Sequence, residues 1–502
     1  MSAADPLSGP RRAVRSRNQP GPARLAQLGA PRNSTVVYRS PQQYVEFHNV
    51  MLKENGLVFY LPDEAAEKPD ASHVIPNMSQ ILSWQYWDNF ADFKVEVVSK
   101  HNRSQFPQTC MRWVKAPTII YSGAEVDAFN MFHFFADNLA RVFTTAIKTG
   151  IINMDAFMAR SALPSSKEAN FILLQRRPIS WASKFHEFFD HLTPDQWTSP
   201  RGNGYCFRTL IVGIDHALTP YFVQSDAEGQ KRSHALMTQF QRFAMTAQMR
   251  TEVLKGNVTI PADLFQAQEP LAPGQKLRLG YIHRKMGGWN SRAIINEQEL
   301  LEAMRARYKD TVEIEVFDFN MTLLQAMVAV RKLNVLVGMH GAGLTNLLWL
   351  HPGSSVVQLI PHGWDGFRRG NLTELRVNGS DTNNIFGAAL FAQTANNVGC
   401  HPFLWQNVRP ENAYFFEDPE EIYRTSEPFR EHPQEGDALA GRQWEDVKYP
   451  HGENILKRTW WYQNTMVDLD TLLPVIDDAI EAAKASLESL HHHHSANETV
   501  IL

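Results

Sequence analysis

Between residues 277 and 360, short apolar runs alternate with segments of helical periodicity, and this alternation constrains the fold more than any other feature. The apolar runs are LRLGYI, TVEIEVFDF, LNVLVGM and SSVVQLI, and the helical patterns between them are INEQELLEAMRARY, MTLLQAMVAVRK and LTNLLWL. Strands that alternate with helices form parallel sheets with right-handed crossovers. Because the runs are apolar almost throughout, both faces of the sheet should be covered. The pattern predicts an α/β domain with a doubly wound sheet, whose first helix begins at a capping box of Asn296 and Glu299.

The chain before residue 262 carries a second set of strand and helix patterns. PTIIYSG, FILLQ and TLIVGI have the composition of strands, whereas DAFNMFHFFADNLARVFTTAIKTG and SHALMTQFQRFAMTAQM have helical periodicity. Gly150 is expected to end the first of these helices. Since 502 residues are too many for one ordinary core, we expect two or three domains.

The segment PADLFQAQEPLAPGQK, rich in Pro and Gln, is the best domain boundary in the chain. The predicted organisation is a disordered, basic, Pro-rich tail or stem (1–35), an N-terminal domain (36–262), a linker (263–276), a C-terminal domain (277–410), loops and a C-terminal helix (411–485) and a flexible tail (486–502). The four consecutive histidines at 491–494 lie in that tail and are not expected to bind a metal.

Composition excludes several classes of protein. With 49 Lys+Arg against 53 Asp+Glu, the net charge of -4 lacks the basic surplus that nucleic-acid binding requires. No stretch approaches the roughly 18–20 consecutive apolar residues of a membrane-spanning helix, and we expect no secretory signal. The cysteines, Cys110, Cys206 and Cys400, form no CxxC pair and exclude a zinc ribbon. One disulfide with one free thiol is possible, and its pairing stays open.

The distribution of N-x-S/T sequons favours a lumenal compartment of the secretory pathway. The sequons begin at Asn33, Asn77, Asn102, Asn257, Asn320, Asn371, Asn378 and Asn497. An organelle transit peptide is the alternative interpretation of the arginines in residues 1–33.

Polar and glycine residues stand at the carboxyl ends of the predicted strands. His283, Arg284 and Lys285 follow the first strand, Arg292 lies on the next loop, and residues 340–343 (HGAG) follow the third. Ligands of open α/β sheets bind at this edge. Glycines let the backbone approach a ligand closely, and the start of a helix favours phosphate. The arrangement predicts a nucleotide diphosphate site, although GAGLTN lacks the third glycine of a dinucleotide fingerprint and no P-loop occurs.

A second group of polar residues lies in the N-terminal half. Asn130, His133, Asp137 and Arg141 are spaced 3, 4 and 4 residues apart and should share one face of a helix. One interpretation is a solvated face with an Asp–Arg pair. The other places His133 and Asp137 in a cleft, where an imidazole or carboxylate can remove a proton.

Four segments together resemble glycosyltransferase family 61. HGAGLTN at 340–346, followed by PGSSVVQLIP at 352–361, is similar to the central signature of the family. NMFHFFADNL at 130–139 resembles its H-x-x-x-D helix, residues 283–300 resemble its R…R-x-x-x-N-E-x-E-L segment, and WWYQNTMVDL at 460–469 resembles its C-terminal element. This chain departs from the pattern at His283, where several members have Ser, and at Asn464, where many have Asp.

The resemblance implies two Rossmann-like domains that face each other across a cleft, the GT-B type, with a C-terminal helix packing back. The N-terminal domain then binds the acceptor and the C-terminal domain the nucleotide sugar. It also implies inverting transfer from a UDP-sugar, with Asp137 as the first choice for the general base and His133 as the second. The residues assigned to the donor nucleotide are Arg284, Lys285, Arg292, His340, Gly341, Ala342, Gly343, Leu344, Asn346 and Gln463.

No obligatory cofactor or metal is expected. Asp468-Leu469-Asp470 opens a helix, and Asp318-Phe319-Asn320 matches D-x-D imperfectly, so the arginines should neutralise the diphosphate.

The predicted function is transfer of xylose or N-acetylglucosamine from a UDP-sugar to a hydroxyl group of a glycoprotein glycan, a protein side chain or a polysaccharide. We expect it in the lumen of the Golgi or endoplasmic reticulum, with membrane association only through an anchor outside this sequence. The alternatives are another nucleotide-sugar enzyme, such as an epimerase, and a non-catalytic glycan-binding or scaffold protein with a vestigial cleft.

Overall fold

The structure is a computed structural model that describes residues 28–29, 33–39, 44–53, 56–61, 94–99, 102–110, 112–121, 131–159, 172–175, 204–215, 218, 227–254, 272, 274–286, 292–361, 386–407, 409–414 and 463–498. Most of the predicted basic tail and of the predicted linker therefore lies outside the described residues, and the predicted domain limits stay predictions.

The described strands are β1 (Leu28–Gly29), β2 (Thr35–Arg39), β3 (Tyr44–Lys53), β4 (Gly56–Tyr60), β5 (Lys94–Val98), β6 (Thr109–Cys110), β7 (Arg112–Val114), β8 (Thr118–Tyr121), β9 (Ile172–Gln175), β10 (Tyr205–Val212), β11 (Leu277–Ile282), β12 (Val312–Phe317), β13 (Val335–Met339), β14 (Ser355–Ile360), β15 (His401–Gln406), β16 (Ala413–Tyr414) and β17 (Asn464–Thr465).

The described α-helices are α1 (Ala140–Lys148), α2 (Met154–Ala159), α3 (Ala227–Leu254), α4 (Glu297–Tyr308), α5 (Leu323–Arg331), α6 (Phe386–Val398) and α7 (Leu469–Glu498). A π-helix, His133–Leu139, runs directly into α1. Short 3₁₀ helices cover Arg103–Gln105, Ala342–Trp349 and Pro410–Asn412.

The C-terminal sheet is parallel throughout, with the strand order β12-β11-β13-β14-β15. Its two faces are both covered, as the apolar runs predict. Leu336 and Val356 pack into the core on one face, and Val335, Val337 and Val357 into the core on the other. The four predicted strands are confirmed, whereas α6 and the edge strand β15 were not predicted.

The N-terminal sheet is mixed, which differs from the Rossmann-like sheet that the resemblance implies. Its order is β5-β4-β3-β10-β8-β9, with β2 beside β3 and β7 beside β10. The strands β10, β8 and β9 are parallel neighbours, as in a Rossmann half. In contrast, β3 runs antiparallel to both β10 and β4. The described chain is thus an α/β protein whose two large sheets are one wholly parallel and one mixed, and two further sheets have two antiparallel strands each.

Helix α3 lies between the two sheets and packs against both regions. On one side Phe240 and Phe243 contact Phe143 of α1, with ring centroids 5.6 and 4.9 Å apart. On the other side the Gln241 Nε2 group donates to the carbonyl oxygen of Leu348 at 2.6 Å. The same apolar core continues from the π-helix into the C-terminal region. The two regions therefore share one continuous core.

Helix α7 packs back onto the C-terminal sheet, as predicted. Its buried side chains recur every three or four residues and join the core on that face of the sheet: Leu472, Ile476, Ala479, Ala483 and Leu487. The helix continues to Glu498, so much of the segment that was predicted as a flexible tail is helical. None of the helices in the described part of the chain is long and apolar enough to cross a membrane.

A disulfide joins Cys110 of β6 to Cys206 of β10, with 5.7 Å between the two Cα atoms. Cys400 is a buried free thiol. The structure thus supplies the pairing that the sequence left open.

Candidate functional site

The carboxyl ends of β11 and β13 form the topological switch point of the parallel sheet. Strand β11 lies between β12 and β13, so the chain leaves β11 toward one edge and continues from β13 toward the other. In sheets with this strand order, a crevice for ligands opens at the switch point. Residues 283–285 follow β11 and residues 340–343 follow β13, so the structure brings these two predicted segments to one edge.

Gly341 lets the turn after β13 pack directly on an arginine. Its φ of 149° is one that side chains rarely adopt. A Cβ atom at this position would collide with Nη1 of Arg284 and come within 3.5 Å of Cζ of Arg292. The position of the Arg284 guanidinium therefore favours glycine here, as does the backbone angle.

Arg292 reaches the same turn from a loop with an unusual backbone. Its Nη1 group donates to the carbonyl oxygen of His340 at 3.0 Å. Its φ of 46° lies in the left-handed region, which costs a residue with a side chain about 1–2 kcal/mol. Such strain persists where the surrounding structure determines the conformation, and it is common at functional sites.

Arg284 and Arg292 give this edge a positive electrostatic potential. Arg284 is half-buried, and burial lowers the pKa of its guanidinium. An arginine keeps its charge in proteins under such shifts, because its unperturbed pKa is so high. We call residues 340–343 the glycine turn. Two guanidinium groups beside this turn suit a diphosphate, which arginine can bind bidentately.

His340 is a buried, neutral histidine. Burial, followed by the charges of Arg292 and Arg284, lowers the pKa of His340 well below its ordinary range. The Gln358 side chain in β14 contacts Nδ1 of His340 at 2.5 Å, and the Phe391 ring lies edge-on at 5.0 Å between centroids. These neighbours fix the orientation of the imidazole. Gln358 was missed by sequence analysis, although a polar residue within a buried apolar strand is itself a signal.

The segment after the glycine turn forms a 3₁₀ helix. Ala342 and Gly343 remain partly exposed, which is compatible with backbone contacts to a ligand. Leu344 has a fully buried side chain, and its N–H donates to the carbonyl oxygen of Gly341 at 2.9 Å. Asn346 is also buried, and its Nδ2 group donates to the Gly343 carbonyl oxygen at 2.9 Å. Both residues support the turn from behind.

Two other predicted donor residues differ in their exposure to solvent. Lys285 is exposed beside Arg284, where it can reach an anion from solvent. Gln463 is fully buried just before β17. Their contacts with a nucleotide stay predictions.

The predicted capping box at the start of α4 is wrong. The Asn296 side chain does not cap the helix. Its Oδ1 atom instead accepts a hydrogen bond from the N–H of Val467 at 2.9 Å, and its Nδ2 group donates to the carbonyl oxygen of Val467 at 2.9 Å. Two segments of the family resemblance, residues 283–300 and 460–469, therefore meet at Asn296 and Val467.

Both departures from the family pattern have a structural explanation. Nδ1 of His283 lies 2.7 Å from a carboxylate oxygen of Glu297, so the histidine at this position ties the end of β11 to α4. Asn464 uses its side-chain oxygen to accept the Ala293 N–H at 2.8 Å. An aspartate can accept the same bond.

The predicted base residues lie on the π-helix rather than on an α-helix. The i→i+5 bonding of a π-helix changes the angle between successive residues, so α-helical spacing does not describe the relation of His133 to Asp137. The preceding Phe132 contacts Phe391 with centroids 4.8 Å apart. Since Phe391 also contacts His340, the π-helix begins beside the glycine turn. Asn130 lies outside the described residues, and the base assignment stays a prediction.

The two D-x-D-like segments have local structural roles. Oδ1 of Asp468 accepts the Asp470 N–H at 3.1 Å, and its other carboxylate oxygen lies 3.2 Å from Arg409. Asp318 accepts the Asn320 N–H at 2.9 Å. The first segment therefore serves as the start of α7.

A comparison with known protein families assigns the part of the chain that contains this edge of the sheet. Residues 131–357 match the profile of the family described as Glycosyltransferase 61. Over these residues the chain matches a glycosyltransferase 61 domain. This domain runs from the start of the π-helix to the middle of β14, so it includes the glycine turn, both arginines and the predicted base residues.

Relatives of the glycosyltransferase 61 domain occur in plants and animals. The chain is 25% identical to an alpha-1,3-arabinosyltransferase of Oryza sativa subsp. japonica over 262 residues, 52% of this chain and 38% of the relative. It is 23% identical to a beta-1,2-xylosyltransferase of the same organism over 51% of this chain and 47% of the relative.

An animal relative gives a similar match. The chain is 26% identical to the protein O-linked-mannose beta-1,4-N-acetylglucosaminyltransferase 2 of Canis lupus familiaris over 58% of this chain and 46% of the relative. The match thus spans less than half of the length of each of these relatives.

Proposed function

We propose that the chain is an inverting glycosyltransferase that moves a sugar from a UDP-sugar to a hydroxyl group of a glycan, a protein side chain or a polysaccharide. The observation that carries the proposal is the glycine turn at the switch point, packed against Arg284 and bonded by Arg292. In the proposed complex these guanidinium groups bind the diphosphate. They stabilise the negative charge that develops as UDP leaves.

The acceptor approaches from the N-terminal region in this proposal, and the overall arrangement is GT-B. A carboxylate or imidazole on the π-helix, Asp137 first and His133 second, removes the proton of the acceptor hydroxyl. The oxygen then attacks the anomeric carbon from the face opposite UDP, which inverts its configuration. The contact of Phe132 with Phe391 supports this assignment, because it brings the π-helix next to His340.

The donor is proposed to be a UDP-pentose or UDP-N-acetylglucosamine. The relatives named above transfer arabinose, xylose and N-acetylglucosamine, and we keep xylose as the first choice. The site is proposed to lie in the lumen of the Golgi or endoplasmic reticulum. The disulfide between Cys110 and Cys206 supports an oxidising compartment.

The test is UDP release from UDP-xylose, UDP-arabinose and UDP-N-acetylglucosamine, with and without N-glycan and xylan acceptors. We expect acceptor-dependent release with one donor. An epimerase would instead convert the free UDP-sugar without acceptor, and a scaffold protein would release no UDP with any combination. Either of these results would contradict the proposal.

Arg284→Gln should lower kcat/KM by about 100-fold, because it removes a charge aimed at the leaving diphosphate. Arg278→Gln is the matched control. Arg278 lies near the amino-terminal end of β11, away from the glycine turn, and pairs with Glu313. Loss of a half-exposed ion pair of this kind should change kcat/KM by less than about twofold. Equal effects of the two substitutions would contradict the assignment of Arg284.

The diphosphate is proposed to be neutralised without an obligatory metal ion. Dialysis of the protein against EDTA should leave the rate of UDP release largely intact. Complete loss that manganese restores would show that a cation shares this role. The base is tested separately with Asp137→Asn and His133→Ala, and near-normal turnover in both variants would place it elsewhere.

A further inference from the structure

A short segment near the C-terminal end of the chain lies directly behind the candidate donor site. We call residues 463–467 the C-terminal clamp. Within it, Thr465 donates its N–H to the Ala293 carbonyl oxygen at 2.9 Å and accepts the Ile295 N–H at 2.9 Å. It also forms a parallel bridge with Ile294. The clamp thus pairs with residues 293–295 through a short parallel bridge.

Side-chain hydrogen bonds secure both ends of this pairing. Asn464 accepts the Ala293 N–H at 2.8 Å at one end. At the other end the Asn296 side chain donates to the carbonyl oxygen of Val467 and accepts the Val467 N–H, and Val467 lies 171 residues further along the chain. Ala293, Asn464 and Val467 are all buried. The segment after Arg292 is therefore held by backbone bonds and by two asparagine side chains.

The clamp holds the residue next to a strained arginine. Arg292 immediately precedes Ala293, and it keeps a left-handed φ of 46° while its guanidinium reaches the His340 carbonyl oxygen. A strained conformation persists only when its surroundings fix it. Asn464 bonds the Ala293 N–H, on the peptide that follows Arg292.

We propose that Asn464 and Asn296 are positioning residues of the donor site. They lock residues 293–296 to the C-terminal clamp and thereby aim the Arg292 guanidinium at the glycine turn. The inference rests on the proposed function, because it assigns Arg292 to the donor diphosphate. In this inference residues 293–296 and 463–467, which lie far apart in the sequence, act together to position Arg292.

The test compares UDP binding by calorimetry in three variants of the full chain. Asn464→Leu removes the acceptor for the Ala293 N–H and should weaken UDP binding by about tenfold. Asn464→Asp keeps an acceptor oxygen and should restore UDP affinity to near the wild-type value. Failure of Asn464→Asp to restore the affinity would contradict the role of this acceptor oxygen.

Asn334→Leu is the matched control. Asn334 is also buried, and its side-chain oxygen accepts the Arg278 N–H at 2.8 Å, the same length as the bond made by Asn464. It lies at the amino-terminal ends of the strands of the same sheet, immediately before β13. Asn334→Leu should lower the melting temperature about as much as Asn464→Leu and leave UDP affinity unchanged. Wild-type affinity in Asn464→Leu, or equal loss in the control, would overturn the inference.

Hydrogen exchange of peptides that cover residues 284–300 separates this inference from the proposed function. The exchange should be faster in Asn464→Leu than in the wild type and in Asn464→Asp. A wild-type chain that binds no UDP would overturn the proposed function, while faster exchange would still support the role of Asn464 in holding Arg292. Unchanged exchange in Asn464→Leu would overturn the positioning role whatever the chain binds.

Discussion

At the scale of single residues, the close packing of the glycine turn on Arg284 depends on Gly341 having no Cβ atom. In Gly341→Ala the new Cβ meets the Arg284 guanidinium and the backbone keeps an unfavourable positive φ. We expect the arginine to be displaced and UDP binding to fall by about tenfold or more. Isothermal calorimetry with UDP measures this loss.

Gly274→Ala is the control for backbone strain alone. Gly274 has a φ of 82°, and a Cβ there would meet nothing within 4 Å. This variant should lose stability of about 1 kcal/mol and retain UDP affinity. If both alanine variants bound UDP like the wild type, the packing of Gly341 on Arg284 would be irrelevant to the site.

Which site residues the sequence can reveal depends on whether their partners are local. Arg284 and His340 were predictable, because each lies within two residues of the carboxyl end of an apolar strand at the switch point. For Asn296 the spacing predicted a capping box, and its side chain does contact Glu299 at 3.2 Å, but its bonds with the remote Val467 were not predicted. Spacing rules describe neighbours in one helix, and they carry no information on a distant segment.

At the scale of secondary-structure elements, hydrophobic periodicity predicted most of the C-terminal sheet. It failed for β15, whose sequence HPFLWQ is short and contains a proline, and which lies at the edge of the sheet where proline is tolerated. It could not separate the π-helix from an α-helix either. The two differ by one residue in their hydrogen-bond step, and the apolar pattern of His133–Leu139 fits both.

The disulfide joins two elements that are far apart in the chain. Cys110 and Cys206 are separated by 96 residues, so the bond restricts a long loop in the unfolded state. Reduction should lower the free energy of unfolding by about 4 kcal/mol. Chemical denaturation with and without dithiothreitol measures the difference.

A double variant, Cys110→Ser with Cys206→Ser, should be insensitive to dithiothreitol, because Cys400 is already reduced. A reductant effect of the same size in this variant would show that the lost stability has another origin.

At the scale of the whole molecule, buried histidines make folding sensitive to acid. Burial lowers the pKa of His351 to about 3, and burial with the nearby arginines lowers the pKa of His340. In the unfolded chain both titrate near their ordinary value of about 6.5. Below that pH the unfolded chain binds more protons than the folded one, so acid favours unfolding.

The free energy of unfolding should therefore be constant near pH 7.5 and fall as the pH drops below about 6.5. His340 and His351 alone contribute a limiting slope of about 2.7 kcal/mol per pH unit, and the half-buried His401, whose pKa burial also lowers, adds to it in the same direction. Denaturant titrations at pH 7.5 and pH 5.5 measure the change. His351→Gln should show about half of it, and a stability that is equal at both pH values in the wild type would exclude the effect.

The position of α3 has a consequence for exchanging parts between related enzymes. This helix precedes the predicted linker, yet Gln241 bonds the Leu348 carbonyl oxygen in the C-terminal region while Phe240 and Phe243 pack on α1. A chimera joined at residues 263–276 would pack α3 of one parent against the 3₁₀ helix Ala342–Trp349 of the other parent. A chimera joined before Ala227 would break its contact with α1 instead. Donor specificity is therefore better transplanted by grafting individual loops of the crevice than by recombining whole halves.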